Sequence, residues 1–416
     1  MTLESLRLEH VGPADRMAID FTPRMNLLTG DNGLGKSFLL DVAWWTLTRT
    51  WARELVVPHR PPAKPQITYA YTARTKAHTY TSAFDRRTEA WSVKQGRPAI
   101  PGLVLYAEVD GGFSVWDPAR NYWRKDKDRA PAYCFEPAAV WNGNEHCEGL
   151  IRDWASWQDK QGEAFQQLTS VLEQLSPSPA ERLRPGAQTR ISIDDPKDYP
   201  TLRMPYGQDV AVVHASAGMR RVIALAYLLV WSWQEHRKAA ELLGQPPARE
   251  IIFLIDEIEA HLHPQWQRRI VPALLDVMDA LTGEDDIPVQ LIAATHSPLV
   301  LASVEPHFDE ARDALFELEL EGDRVALHHR PWAKHGDAAS WLVSDTFGLG
   351  QARSIDAEIA IKAANAWMRD DRDALPTGLQ TKEAIHDELK RVLGDLDPFW
   401  PRWIVTALQP EAATES

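Results

Sequence analysis

The chain has 416 residues and a formal net charge of −14, with 44% hydrophobic and 25% charged residues. These proportions are ordinary for a soluble globular protein and exclude a disordered or collagen-like chain, and the length allows two or three domains or one large domain with insertions. The acidic balance argues against a protein that coats nucleic acid over its whole surface, although a local basic patch stays possible.

The sequence predicts no membrane span and no disulfide framework. The longest apolar run, Val222 to Trp233, has 12 residues, fewer than the ~20 needed to cross a bilayer. The first residues show neither the basic nor the apolar region of a signal peptide. We expect Cys134 and Cys147 to be two buried thiols in a reducing compartment. The predicted location is therefore the cytoplasm.

The first part of the chain is predicted to be rich in strands. Residues 3–29 alternate as strands do, a glycine-rich turn follows, and a helix is predicted over 38–51. Several strand-like runs between 66 and 120 predict an antiparallel meander. The charged stretch around 121–131 is predicted to be an exposed turn.

The second part alternates predicted helices and strands. In chain order these are a helix over 149–175, a helix over about 217–236, a strand over 251–255, a helix over 265–281, a strand over 290–294 and a pair of edge strands over 316–329. From 337 onward the chain is predicted to be mostly helical and to end in a polar tail. No internal repeat is present.

Residues Gly30 to Ser37, which read GDNGLGKS, fit the P-loop pattern between a predicted strand and a predicted helix. Asn32, Gly33 and Gly35 would let backbone amides wrap phosphate oxygens at the helix N-terminus. Lys36 would reach the β- and γ-phosphates, and Ser37 would bind Mg²⁺. The motif therefore predicts an ATP site.

Two carboxylates follow a strongly apolar predicted strand. Ile251–Ile255 is an unbroken apolar run, typical of a strand buried on both faces of a parallel sheet. Asp256 and Glu257 would then lie at the carboxyl end of that strand, where open α/β sheets bind ligands. We predict that Asp256 helps to hold Mg²⁺ and that Glu257 is the general base for the attacking water.

Two further motifs flank these carboxylates. Ser216 and Gly218 open a predicted helix and form a second possible anion cradle. His296, in the run Thr295 to Pro298, ends another predicted strand, which would bring it beside the γ-phosphate.

This order of motifs resembles the ATP-binding cassette (ABC) ATPases, and more narrowly their RecF/SMC-like branch and the ATPases of the overcoming-lysogenization-defect (OLD) type. In those proteins the catalytic glutamate is commonly followed by Glu-x-His-Leu-His-Pro, which residues 259–264 match. The resemblance covers about residues 1–305. It implies a nucleotide-bound homodimer or higher oligomer, with ATP and Mg²⁺ as cofactors.

The resemblance also assigns roles to individual residues. Ser216 and Gly218 would be signature residues that contact ATP on the opposite subunit. Glu259, His261 and His263 would belong to the D-loop at the dimer interface, and an alternative interpretation of the two histidines as a metal pair is disfavoured. His296 would be the switch histidine. The signature departs from Leu-Ser-Gly-Gly at Ala215 and Ala217, and the Q-loop glutamine is not identifiable, the region near Asn142 being only a guess.

The span between Ser37 and Ser216 lacks the long heptads of an SMC, RecN or Rad50-like arm. Asp371 and Asp373, or Asp395 and Asp397, could be the Asp-x-Asp pair of a C-terminal Toprim nuclease, but their loop or helix-end context disfavours this. The profile resembles the stand-alone ATPases of bacterial anti-phage systems, such as the Septu ATPase PtuA and the ATPase of the PARIS system. The segments 341–354 and 397–403 are similar to the PtuA-like group.

We therefore predict an α/β fold with an ABC-type ATPase domain over 1–335 and a small helical C-terminal region over 336–416 that docks a partner. Within the ATPase domain, we expect a β meander insertion at about 66–130 and a helical lobe carrying the signature at about 140–236. No long coiled coil is expected.

The predicted function is ATP binding and hydrolysis that regulates a separate effector, a nuclease, in anti-phage defence. The alternatives are a RecF-like DNA-binding ATPase of repair or replication and a scaffold that hardly hydrolyses its nucleotide. For the RecF-like case, residues 51–130 carry 14 Lys and Arg against 8 Asp and Glu.

Overall fold

The computed structural model describes residues 2–56, 58–61, 63–73, 76–93, 102–121, 130–282 and 288–407. The chain divides into two compact units, Met1–Gly336 and Asp337–Ser416. The ranges stated below refer to these described residues. Among them, no helix is both long enough and apolar enough to span a bilayer.

The strands of the described residues all lie in the first unit. They are β1 (Thr2–Glu9), β2 (Arg16–Asp20), β3 (Met25–Gly30), β4 (Gln66–Ala73), β5 (Lys76–Asp85), β6 (Ala90–Trp91), β7 (Leu103–Ala107), β8 (Phe113–Trp116), β9 (Tyr133–Phe135), β10 (Arg184–Pro185), β11 (Thr201–Arg203), β12 (Asp209–Ala211), β13 (Ile251–Ile255), β14 (Val289–Ala294), β15 (Asp313–Glu321) and β16 (Arg324–Arg330).

The helices are distributed over both units. They are α1 (Lys36–Thr48), α2 (Pro137–Asn142), α3 (Leu150–Lys160), α4 (Glu163–Gln174), α5 (Ala217–Leu242), α6 (Pro264–Gln267), α7 (Ile270–Thr282), α8 (Pro298–Val304), α9 (Ala338–Leu342), α10 (Ile355–Met368), α11 (Lys382–Val392) and α12 (Phe399–Ala407), with a 3₁₀ turn at Val212–His214 before α5.

The central sheet has eight strands in the order β16-β15-β3-β14-β13-β7-β8-β9. The five strands from β15 to β7 are parallel to one another, and the strands outside them pair antiparallel. Every residue of β13 and of β7 is buried, as expected for strands covered on both faces. The parallel arrangement brings the carboxyl ends of β3, β13 and β14 to one edge, which positions the site. The predicted α/β fold class is confirmed.

A second sheet is antiparallel, in the order β2-β1-β4-β5-β6. The side chain of Gln290 on β14 ties it to the central sheet, since its amide accepts from Leu3 N at 2.8 Å and donates to Leu3 O at 2.9 Å. Helix α1 is apolar almost all round. It contacts β1 of this sheet and β3, β7, β13 and β14 of the central sheet, and it contributes Trp44 and Trp45 to their shared core.

A helical region precedes and includes the long helix α5. Helix α4 packs on α5 and α7, and a three-stranded sheet, β10-β11-β12, leads into α5. The helix predicted over 149–175 is divided into α3 and α4, because Gln161 adopts a left-handed φ of 48° and Gly162 separates the two.

The second unit, Asp337–Ser416, is helical in its described part, as predicted. Helices α10 and α11 pack on each other around an alanine-rich core that includes Trp403 of α12. Arg353 pairs with Asp397 at 3.0 Å, so this carboxylate of the Asp-x-Asp candidate serves a structural ion pair. The Asp371–Asp373 candidate lies in the loop after α10.

Two sequence-based predictions need correction. The meander predicted over 66–120 holds only for β4, β5 and β6, because β7 inserts parallel to β13 in the central sheet. All residues of β7 are apolar enough to be buried on both faces of a central strand, whereas a strand of an edge meander would have one face in solvent. Cys147 is buried but Cys134, on the edge strand β9, is exposed; both are free thiols.

The charged turn predicted around 121–131 lies mostly outside the described residues.

Candidate functional site

The P-loop motif forms a tight turn between β3 and α1, and three of its glycines have positive φ. These are Gly30 (125°), Gly33 (79°) and Gly35 (105°). A Cβ at Gly30 would lie 2.1 Å from Leu318 O, and one at Gly35 would lie 2.7 Å from the Pro13 side chain, whereas Gly33 faces open space. Gly30 and Gly35 are therefore needed for the loop to pack, and Gly33, beside the exposed Asn32, leaves room for a ligand.

The ammonium group of Lys36 lies over this loop. Its Nζ donates to Gly30 O and to Asp31 O, both at 2.8 Å, and the residue is buried. Burial lowers the pKa of Lys36, while the negative charges of Glu257 and Asp256 act in the opposite direction. The site thus holds a cation at the center of a glycine cradle with the two carboxylates close by.

Ser37 meets the carboxylate at the end of β13. Ser37 Oγ donates to Asp256 Oδ1 at 3.0 Å, and Asp256 is fully buried. Both groups offer oxygen ligands, which Mg²⁺ prefers. The donor set fits the predicted metal, and Ser37 and Asp256 are the residues that would hold it.

Glu257 and His296 belong to the same electrostatic cluster. Glu257 has a left-handed φ of 46°, which a residue other than glycine rarely adopts and which is found at functional sites. His296 follows β14. Burial is the main cause that lowers its pKa, Lys36 lowers it further, and Glu259, Glu257 and Asp256 oppose this. The imidazole is therefore neutral at pH 7 and can accept or donate one proton.

Glu259 holds the chain around His296. Its carboxylate accepts from Thr295 Oγ1 at 2.7 Å and from the backbone amide of His296. The resemblance places Glu259 at a dimer interface, but in the structure its two oxygens bind within the chain. These two hydrogen bonds hold the Thr295 side chain and the His296 backbone in place.

His261 and His263 behave differently from Glu259, since both are exposed. His261 has a φ of 63°, and His263 Nδ1 accepts from Gln265 N at 3.4 Å at the start of α6. The groups of potential metal ligands found among the described residues do not include this pair.

The signature residues open α5. Ser216 is exposed, and its Oγ accepts from Met219 N at 3.3 Å as the N-cap of the helix. Gly218 is buried, and a Cβ there would lie 2.6 Å from His261 O. Gly218 thus lets the helix start approach the backbone of the predicted D-loop. The structure brings Lys36, Ser37, Asp256, Glu257 and His296 together, while Ser216 faces solvent.

Arg53 is a site residue that sequence reasoning missed. Its guanidinium lies 3.3 Å from Asp256 Oδ2 and 3.1 Å from Asp41 Oδ1, and it also donates to Tyr106 Oη. Burial raises the pKa of Asp41, and Arg53 opposes this effect. Arg53 therefore balances two carboxylates beside the expected Mg²⁺ position. No local pattern marks a residue that is 203 positions from its partner.

Arg221 and Glu108 were also missed. Arg221 of α5 donates to the backbone oxygens of Val109 at 2.9 Å and of Asp256 at 3.0 Å. Glu108 follows β7, directly beside β13, and burial raises its pKa to about 7. The region near Asn142, only a guess for the Q-loop, lies at the end of α2. The sequence signal that could have identified Glu108 is its position directly after the apolar run 103–107.

Comparison with known proteins agrees with this geometry. A family model described as "AAA domain, putative AbiEii toxin, Type IV TA system" matches residues 25–302, about two thirds of the chain. These residues include the P-loop, both carboxylates, the signature and His296.

Several curated proteins are similar over shorter segments. "Retron Vc95 probable ATPase" of Vibrio cholerae serotype O1 biovar El Tor is 36% identical over 137 residues, 32% of this chain and 23% of that protein. "Septu protein PtuA" of Bacillus mycoides (strain KBAB4) is 31% identical over 134 residues, 32% of this chain and 16% of that protein. "Retron Ec83 probable ATPase" of Escherichia coli is 30% identical over 100 residues, 24% of this chain and 15% of that protein. The matches thus span less than a quarter of each relative.

Solved SMC heads are more distant. The SMC head domain from Thermotoga maritima is 14% identical with a TM-score of 0.40, covering 80% of this chain and 100% of that one. The SmcHead bound to the C-winged helix domain of ScpA is 15% identical with a TM-score of 0.44, covering 80% and 99%. A likeness at this level carries no argument about function.

The similarity to retron ATPases and to PtuA confirms the resemblance drawn from the sequence. Since the family model covers most of the first unit and all of the site residues described above, the chain belongs to the family described as "AAA domain, putative AbiEii toxin, Type IV TA system".

Proposed function

We propose that this chain binds ATP with Mg²⁺, hydrolyses it, and uses the nucleotide state to regulate a separate effector in anti-phage defence. The observation that carries the proposal is the contact between Ser37 Oγ and Asp256 Oδ1 at 3.0 Å, next to the Lys36 ammonium in its glycine loop. Ion-binding oxygens and a phosphate-binding cation thus converge at one edge of the parallel sheet.

The proposed mechanism follows from these positions. When ATP binds, the Lys36 ammonium gives up its hydrogen bonds to the two backbone oxygens. It donates to phosphate oxygens of ATP instead, so that the number of its hydrogen bonds is kept. Bound Mg²⁺ would supply charge neutralisation at the phosphates, held by Ser37 and Asp256. Glu257 accepts a proton from the attacking water. His296, kept neutral by burial and by Lys36, hydrogen-bonds the same region.

The proposed active form is a dimer around two ATP molecules. Ser216 supports this because it is exposed at the N-terminus of α5, where backbone amides favour an anion. In the proposal, Ser216 and Gly218 contact ATP on the partner, and the exposed His261 and His263 lie at the interface. The γ-phosphate would then order elements of two chains, a recurrent type of molecular switch.

The proposed effector is a nuclease carried on another chain in the cytoplasm. Support comes from the likeness to "Septu protein PtuA" and to retron ATPases. The second unit also exposes apolar side chains, among them Ile355, Leu396 and Val405. We propose that this unit docks the effector, since exposed apolar residues are common at interfaces.

A RecF-like DNA-binding ATPase is the second candidate, based on the basic composition of residues 51–130. Within the described part of this region, Arg53 is committed to the site and Arg86 donates to the backbone oxygens of His59 and Ala63. These two cations are thus engaged within the chain.

Three variants test the ATPase proposal. Lys36→Ala should lose ATP binding in calorimetry. Glu257→Gln should bind ATP, stop hydrolysis and accumulate an ATP-dependent dimer in analytical ultracentrifugation. Glu310→Gln, a matched change at an exposed carboxylate, should behave as the wild type. Normal turnover by Glu257→Gln would contradict the assignment of the base, and unchanged ATP affinity of Lys36→Ala would contradict the phosphate site.

The effector is tested separately. Glu257→Gln protein is purified from its host with ATP and Mg²⁺, and the bound polypeptides and nucleic acid are identified. A nuclease that co-purifies stoichiometrically with the Glu257→Gln protein, but not with the double variant that also carries Lys36→Ala, supports regulation of an effector. DNA without a second protein supports the RecF-like candidate.

A further inference from the structure

Two histidines and an aspartate meet outside the ATP site. The ligand atoms of His10, Asp15 and His59 all lie within 4.8 Å of one another. His59 Nδ1 is 3.5 Å and His10 Nδ1 is 3.8 Å from the same atom, Asp15 Oδ1. We call these three residues the His-Asp cluster.

The backbone holds the three residues of the His-Asp cluster together. His10 N donates to Asp15 O at 2.7 Å, and His59 N donates to His10 O at 3.0 Å. His10 has a left-handed φ of 55°, a conformation that costs energy for a residue other than glycine. Backbone hydrogen bonds therefore keep the three residues near one another, in addition to the contacts between their side chains.

The hydrogen bond of the His59 ring to Gly12 determines which ring nitrogen carries the proton and which one faces Asp15 as an acceptor. His59 Nε2 lies 2.8 Å from Gly12 O. A carbonyl oxygen can only accept, so Nε2 carries the proton and, in the neutral ring, Nδ1 presents a lone pair. This lone pair and the Asp15 carboxylate are both acceptors, and the 3.5 Å between them exceeds a good N–H···O hydrogen bond. Metal-bound histidines commonly donate their second nitrogen to a backbone carbonyl in this way.

The donor set indicates the class of ion. Imidazole nitrogens suit zinc and related transition metals, while Mg²⁺ and Ca²⁺ prefer oxygen ligands. Zn–N and Zn–O bonds of about 2.0–2.2 Å in a tetrahedron place donor atoms roughly 3.3–3.5 Å apart. The separations of 3.5 and 3.8 Å are close to this range.

Another cluster in the chain provides a contrast. Glu319, Glu321 and His328 also group together, but His328 Nε2 lies 2.8 Å from Glu321 Oε1, an ordinary hydrogen bond, and Glu319 pairs with Arg330. Ordinary contacts therefore account for this cluster, whereas in the His-Asp cluster both histidine–carboxylate separations, 3.5 and 3.8 Å, exceed a good hydrogen bond.

The His-Asp cluster encloses a loop that packs on the P-loop side of α1. A Cβ at Gly12 would lie 2.4 Å from the Phe38 ring, and Pro13 packs against Gly35. We propose that His10, Asp15 and His59 bind one divalent transition-metal ion of the zinc class, with a fourth position open to water, and that the ion fixes this loop against the P-loop. The site is separate from the Mg²⁺ ligands Ser37 and Asp256.

The test uses full-length, untagged protein without nucleotide, freed of metal by a chelator. Co²⁺ is titrated while its visible absorption is followed, and Zn²⁺ affinity is then measured by competition with a chromophoric chelator. We expect one Co²⁺ per chain with a four-coordinate spectrum, displaced by Zn²⁺ and not by Mg²⁺.

The variants are chosen to keep the fold. His10→Asn suits the left-handed backbone, His59→Gln can keep a donor to Gly12 O, and Asp15→Asn changes an exposed side chain. Each should lower Zn²⁺ affinity by at least about tenfold, whereas the control His328→Gln should not. Absence of saturable Co²⁺ binding, or equal affinity in all four variants, would overturn the proposal. Circular dichroism verifies that each variant is folded.

Discussion

Replacement of Glu259 by alanine tests whether its carboxylate positions His296, the proposed catalytic histidine, within the chain. The substitution leaves the Thr295 hydroxyl and the His296 amide without their acceptor. A hydrogen bond to a charged group contributes about 1.5–3 kcal/mol. Allowing for water at this partly buried position, we expect local opening of residues 294–297 to become easier by about 2–4 kcal/mol.

This free energy corresponds to a measurable change in hydrogen exchange. Since about 1.4 kcal/mol is a factor of ten, amides of the segment 289–300 should exchange roughly 30- to 700-fold faster. Turnover should fall because His296 loses its position, while ATP affinity should stay close to that of the wild type. Mass spectrometry of the exchanged peptides and steady-state kinetics measure the two effects.

Two controls separate this role from a role in the dimer interface. Glu259→Gln keeps one acceptor and should change exchange by less than about tenfold. His261 is an exposed neighbour with a left-handed backbone, a conformation that asparagine tolerates. The variant His261→Asn should therefore leave hydrogen exchange of this segment unchanged. If Glu259→Ala abolished ATP-dependent dimerisation without changing the exchange of 289–300, the positioning role would be refuted and the interface role favoured.

Two more predictions concern the P-loop and Glu108. Gly30→Ala should prevent correct folding, because the added Cβ would collide with Leu318 O. Gly33→Ala has open space, so it should fold with a loss of only about 1 kcal/mol in the free energy of unfolding and should weaken ATP binding. Circular dichroism and calorimetry distinguish the two variants, and a well-folded Gly30→Ala would contradict the geometry. Burial raises the pKa of Glu108 from 4.5 to about 7, so between these values the folded chain keeps a proton that the unfolded chain releases. The stability of the wild type relative to Glu108→Gln should therefore fall as the pH rises through this window in urea unfolding of the nucleotide-free protein, and a pH-independent difference would refute the assignment.

The central motifs could be predicted because their signals are local. The loop from Gly30 to Ser37 has its glycines where backbone sterics require them, and Ile251–Ile255 has the unbroken apolar character that a doubly covered strand needs. The carboxyl ends of parallel strands meet at one edge, so the proximity of Lys36 and Asp256 also followed.

The remaining features depend on tertiary contacts that no short pattern encodes. The run at 103–107 is apolar in either a meander or a central strand, and only its pairing with β13 decides between them. The contacts of Arg53 with Asp41 and Asp256 and the approach of His59 to His10 join distant segments. Glu259 matched a family motif, but the partners of its carboxylate are set by the position of β14.

The contacts of α5 provide a physical link between the two halves of the proposed catalytic unit. Arg221 donates to the backbone oxygen of Asp256, and Gly218 lies against His261 O, so one turn of α5 touches the chain on both sides of Glu257. Glu257 itself has a left-handed φ, which makes its orientation dependent on neighbouring backbone. A displacement of α5 when Ser216 meets a partner's phosphate would therefore shift the carboxylate that activates water. In the proposed dimer, this coupling would let Ser216, which faces solvent in one chain, influence hydrolysis.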